Sequence, residues 1–225
     1  MQMDDVLLVA APHPDDETLG CGGTLLRARA AGLPVHWLIM TEIPAGEDIG
    51  GLTNKVRGNE IRRVSEEYGF ASVTELKFPT LRLDVVARHT VVRAVCAAIE
   101  SIKPSTVLLP WYGDAHSDHR VTFESLQACL KSFRSPWLRK TMAYEVLSET
   151  NFNLDRGNRS FDPTDFVCID GLVEKKIEIM KLYSGQVEEH PFPRSPDAIR
   201  ALAVLRGSQA NRHYAEGFVS LFSVT

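Results

Sequence analysis

Short apolar runs at 6–10, 35–40, 74–78, 106–109 and 143–147 alternate with segments of helical periodicity over the first two thirds of the chain. This alternation restricts the fold more than any other feature. Strands and helices in succession build a mainly parallel sheet with helices on both faces, an α/β architecture. In the segment 85–102, Val92, Val95, Ile99 and Ile102 form one stripe, and Asp84 is placed to cap it. A strand at 166–169 and a helix over about 172–184 follow. Ser195-Pro196-Asp197 then opens another helix, with Ser195 as cap and Pro196 in the first helical position. A chain of 225 residues suits one large α/β domain or two small ones.

Parallel sheets bind ligands outside the carboxyl ends of their strands. The first apolar run ends there in Ala10-Ala11-Pro12-His13-Pro14-Asp15-Asp16-Glu17, one imidazole and three carboxyls within five residues. Adjacent carboxylates repel and need a cation or a proton to coexist. The fourth run ends in Gly113-Asp114-Ala115-His116-Ser117-Asp118-His119, so both clusters face one sheet edge. A helix from about residue 119 aligns His119 with Phe123, Leu126 and Leu130, pointing the histidine at the sheet. The same test on 55–68 aligns Arg57 with Ile61, Val64 and Tyr68. A cation at a helix N-terminus opposes the helix dipole and wants an acceptor, either a substrate oxygen or Glu60 three residues on. Taken singly, Asp15 or Asp16 reads as a helix cap, His13 as a core histidine, and His116 and His119 as loop residues. Taken together, the two clusters read as a metal site. Glu17 reads as a local structural group. Gly20, Gly22 and Gly23 lack the spacing of a phosphate loop and read as close helix–sheet packing.

Composition excludes several classes. A net charge of -4 argues against binding a nucleic-acid backbone. No apolar run reaches the length of a membrane span, and the first residues lack the pattern of a signal peptide. The four cysteines, Cys21, Cys96, Cys129 and Cys168, have no metal-binding spacing and read as free thiols of a cytoplasmic protein. The polar stretches 43–54 and 148–163 have the length of site rims or lids. Self-association stays open.

His13-Pro14-Asp15-Asp16-Glu17, continued by Thr18-Leu19-Gly20-Cys21-Gly22-Gly23, resembles the signature of the LmbE-like, or PIG-L, zinc-dependent N-deacetylases. The 113–119 segment resembles their second motif, and Arg57-Gly58-Asn59-Glu60 their RxxE helix start. Tyr183-Ser184-Gly185-Gln186 and 213–218 resemble further family segments. The resemblance implies a single domain over 1–225 with a Rossmann-like three-layer fold. It implies zinc held by His13, Asp16 and His119, Asp15 as general base, His116 assisting the transition state, and Arg57 on substrate hydroxyls. It implies an N-acetylglucosamine-type conjugate as substrate. Asp114 stands where some family members carry an assisting tyrosine.

Two histidines and one aspartate make a common open zinc arrangement, and Fe2+ fits the same ligands. The expected chemistry is amide hydrolysis by activated water, with a protonated His116 and the metal stabilising the oxyanion. Asp118 either orients a histidine or stabilises its turn. The competing readings are an amidohydrolase for another N-acyl small molecule, and a sugar-binding module without the chemistry.

Overall fold

A computed structural model describes residues 5–155 and 160–224. Strands β1 (Leu7–Ala11), β2 (Val35–Glu42), β3 (Ser72–Pro79), β4 (Thr106–Pro110), β5 (Lys140–Tyr144), β6 (Asp165–Cys168) and β7 (Ala215–Ser223) form one sheet, ordered β3-β2-β1-β4-β5-β7-β6. Neighbours from β3 to β5 pair in parallel, and β7 runs antiparallel to both β5 and β6. The helices are α1 (Asp16–Ala30), α2 (Asn54–Tyr68), α3 (Arg88–Ile102), α4 (Ser117–Cys129), α5 (Val173–Met180) and α6 (Pro196–Gln209).

The two-residue period of the strands splits the core. Leu7, Val9 and Ala11 of β1 join Trp37 and Ile39 in one cluster, with α1, α2, α5 and α6. Leu8 and Ala10 face the other way with Leu38, Met40, Val107 and Leu109, under α3 and α4. The result is the expected three-layer α/β fold with a mainly parallel sheet. The chain leaves β1 toward β2 and β3 on one side and returns to β4 and β5 on the other. This reversal opens a crevice between the carboxyl ends of β1 and β4, where the two polar clusters emerge.

Several expectations need correction. β5 spans Lys140–Tyr144 instead of 143–147, because Thr141, Met142, Ala143 and Tyr144 are the buried residues that pair with β4. α5 ends at Met180, four residues early. Asp84 lies in a short 3-10 turn and does not cap α3, whose cap position is Ala87. The buried stripe of α3 is Val91, Val95, Ala98 and Ile99. Cys96 and Cys129 are not free thiols: α3 and α4 pack side by side, bring their Cα atoms to 5.3 Å, and the pair forms a disulfide. Only Cys21 and Cys168 are free among the described residues, so the cysteines give no support to a reducing compartment. Among the described residues no helix is long and apolar enough to cross a membrane.

The glycines of α1 meet their expectation. A Cβ on Gly20 would lie 2.1 Å from the Tyr144 ring, and one on Gly23 would lie 2.6 Å from Ile169. Both keep α1 close to its neighbours, and no phosphate loop is formed.

Candidate active site

β1 delivers the first cluster into the crevice. Asp15 precedes α1 with φ 141°, a region that favours glycine; such strain costs on the order of 1–3 kcal/mol and must be held in place. Glu17, fully buried, does the holding. Its Oε2 accepts the Asp15 backbone N–H at 3.1 Å, and its Oε1 accepts the Tyr183 hydroxyl at 2.7 Å. Asp15 makes no side-chain cap, so its carboxylate is left to the cavity. Asp16 Oδ2 accepts the His13 backbone N–H at 2.9 Å.

α4 delivers the second cluster, with Asp118 and His119 buried in its first turn. His13 Nδ1 and His119 Nε2 lie 3.4 and 3.3 Å from Asp16 Oδ2. Donor atoms about 2.0–2.1 Å from a tetrahedral centre lie about 3.3 Å apart, so these spacings fit zinc. The outer partners fit as well. Asp118 Oδ2 lies 3.0 Å from His13 Nε2, and Asp114 Oδ2 lies 2.8 Å from His119 Nδ1. Each carboxylate fixes the N–H on the far ring nitrogen and turns the other nitrogen's lone pair toward Asp16. Acceptors turned on one another need a cation or protons between them. A second possible metal group, His13, His116 and Asp118, is less apt. Asp118 already accepts the backbone N–H groups of Leu81 and Leu83, at 2.8 and 3.0 Å. Asp118 therefore holds both a histidine and a turn.

Electrostatics follow from this packing. Burial opposes charge on His13, but Asp118 and Asp16 outweigh it and push the ring up to about 9. Burial likewise opposes charge on His119, which Asp16 and Asp114 nevertheless raise well above the usual imidazole value. Burial opposes ionisation of Asp16, yet His119 and His13 hold it far below the carboxylate range. Asp15 is pushed up to about 6 by burial and by Asp16, against the pull of Arg57 and Arg194. His116 is pushed down to about 4 by burial and by its histidine neighbours. This favours the neutral form of the ring in the metal-free protein. Its Nδ1 accepts the Asp118 backbone N–H at 3.0 Å, so its remaining proton sits on Nε2.

These groups line a cavity with Arg57, Arg194, Gln186 and Glu149. Arg57 donates to Glu60 at 3.0 Å, one of the two acceptors its position called for, and it also lines the cavity. Ile43, Ile49, Leu52, Ser148 and Glu149 bring both polar stretches to the rim; residues 156–159 of the second lie outside the described residues. Arg194, whose Nη1 donates to Asp15 Oδ2 at 3.3 Å, escaped the sequence reading, as did the partnership of Asp114 with His119. The resemblance of 183–186 to a family segment was the one signal near this part of the cavity. There Ser184 donates its N–H to Glu60 at 2.8 Å, and Gln186 lines the wall.

Residues 8–130 match the family model described as PIG-L: GlcNAc-PI de-N-acetylase. That span carries both metal motifs and Arg57. The chain belongs to the PIG-L family. Among PIG-L relatives, the diacetylchitobiose deacetylase of Thermococcus kodakarensis is 26% identical over 94% of this chain and 81% of its own. The conserved protein TT1542 of Thermus thermophilus superposes with a TM-score of 0.75 at 28% identity, covering 97% of this chain and 96% of its own. GalB, the 4-carboxy-2-hydroxymuconate hydratase of Pseudomonas putida, superposes at 0.74 with 20% identity, covering 98% of each chain. The PIG-L architecture thus recurs under another chemistry, and the reaction must be argued from the site.

Proposed function

We propose that this protein is a zinc-dependent hydrolase that removes the acetyl group from an N-acetylglucosamine-type conjugate. The carrying observation is the convergence of His13, Asp16 and His119 within 4.8 Å beside the strained, uncapped Asp15. The deacetylase activity named for the Thermococcus relative supports the reaction class. His13, Asp16 and His119 would hold the metal. When bound, it supplies a Lewis acid that polarises the amide carbonyl and acidifies water.

The chain's own groups do the rest. Asp15, about 6, is ionised at neutral pH and close enough to it to serve as general base. It takes the proton of the attacking water and then holds the proton that the departing amine needs. His116 donates its Nε2–H to the oxyanion that develops on the acetyl carbonyl. Arg57 binds sugar hydroxyls while Glu60 holds its guanidinium, and Arg194 keeps Asp15 oriented.

Two neighbouring substitutions test the assignment. Asp15→Asn keeps shape and polarity and tolerates the positive φ, but it accepts no proton. It should retain zinc and lose about 10²–10⁴-fold in kcat. Asp16→Asn should bind zinc weakly and recover partly in excess metal. Zinc stoichiometry and acetate release from N-acetylglucosamine conjugates decide the matter. Metal loss in Asp15→Asn alone reverses the two roles, and full activity in both removes the mechanism.

A further inference from the structure

One wall of the cavity has no use in the chemistry above. Leu81 is a non-glycine residue at φ 62°, pinned there by its N–H to Asp118 at 2.8 Å, and it remains 54% exposed at the cavity mouth. Ile43, Ile49 and Leu52 line the same cavity. Ile49 and Leu52 exchange backbone hydrogen bonds of 3.0 and 3.2 Å across a turn whose central residues, Gly50 and Gly51, both have positive φ. Their side chains are thereby set as a pair. Asn54 Nδ2 donates to the Ile43 carbonyl at 2.9 Å and ties the start of this segment to α2. Arg82, next to Leu81, reaches Glu47 through two hydrogen bonds of 3.1 Å each. That exposed pair adds little stability, but it joins the two segments that carry the aliphatic groups.

Four aliphatic side chains, on segments held by backbone pairing and a bidentate bridge, thus line the same cavity as His13, Asp16 and His119. A strained, exposed leucine at a cavity mouth is a poor choice for stability and a good one for contact with a ligand. Sugar hydroxyls gain nothing from such a wall. Resting on the deacetylase reading above, we infer that the substrate carries an apolar substituent, an alkyl or aryl group, which seats against Leu81, Ile43, Ile49 and Leu52. Two sources share that chemistry: an aglycone on the sugar, or an N-acyl chain longer than acetyl.

Calorimetry on zinc-loaded protein carrying Asp15→Asn tests the wall through binding rather than turnover. One series is methyl, propyl, butyl and hexyl β-N-acetylglucosaminides. The other is methyl β-glucosaminides bearing N-acetyl, N-butanoyl or N-hexanoyl groups. Affinity should rise about two- to fourfold per methylene over the first few carbons in one series, and that series identifies the source. Leu81→Asn removes the apolar group with a residue that suits positive φ, and Ile49→Ser tests the opposite segment. Each should flatten the rise. Affinity independent of chain length in both series, or a rise that survives both substitutions, overturns the inference. Release of the free acid (acetate, butanoate or hexanoate) by the unsubstituted protein is scored separately. If it hydrolyses no compound while the alkyl series still binds with rising affinity, the deacetylase reading falls and the apolar wall stands.

Discussion

Asp114 is 1% exposed, and besides His119 it accepts the Thr150 hydroxyl at 2.6 Å. Those two contacts fix the ring that faces Asp16. Asp114→Asn should therefore loosen His119 without touching the metal and weaken zinc affinity about 10–100-fold, as read by chelator competition. Glu17 gives a pH prediction. Burial pushes its carboxyl from 4.5 up to about 7, so the folded state favours the protonated form. Its contribution is fully present below pH 4.5 and is lost as pH rises through about 7, a swing of about 3 kcal/mol for a shift of this size. Glu17→Gln should remove that dependence. Denaturant unfolding of the metal-free protein at pH 5 and 8 should show a smaller stability difference in the variant than in the parent. At this scale the sequence spoke clearly where polar groups were dense, at His13, Asp16 and His119, whose side chains the fold brings together. It was silent on Arg194, because nothing in Pro193-Arg194-Ser195 announces a contact with a residue 179 positions away.

α1 is the element whose integrity the site most needs, and it is broken. Cys21 has non-helical angles, φ -144° and ψ 21°, which divide the helix into an initial turn and a second segment. Glu216 of β7 repairs the break: its carboxylate accepts the N–H groups of Gly23 and Thr24 at 2.8 Å each, and the Thr24 hydroxyl at 2.6 Å. Lys176 of α5 donates to the Leu19 carbonyl at 2.9 Å and to Glu216 at 2.7 Å. Each freed backbone group is thus met by a charged side chain. Glu216→Ala would leave Lys176, 5% exposed, buried and unpaired. It should cost about 3–5 kcal/mol, whereas Glu216→Gln, which keeps an acceptor, should cost less; chemical denaturation orders the two. This arrangement also explains why β7 was not foreseen as a strand. Glu216 and Gly217 interrupt the alternation that marks one: Glu216 reaches α1, and Gly217 lies close against Arg206 and Pro163.

Across the whole molecule, the parallel part of the sheet was legible because β1, β2, β3 and β4 are short, largely apolar runs, each followed by helical periodicity. The parallel order made the two polar clusters neighbours before any coordinate placed them. Packing between helices left no such trace, and Cys96 and Cys129 stand 33 residues apart in segments whose adjacency only the folded chain reveals. The reach of Glu216 has a consequence for biosynthesis. It closes a contact spanning 193 residues with Gly23, so the helix that presents Asp15 and Asp16 is completed only once Glu216 has been made. Domains assemble as their segments emerge, yet here residues made early wait for a segment made much later. A growing chain that already carries both histidine motifs therefore lacks the contact that holds α1 in place until residue 216 has emerged.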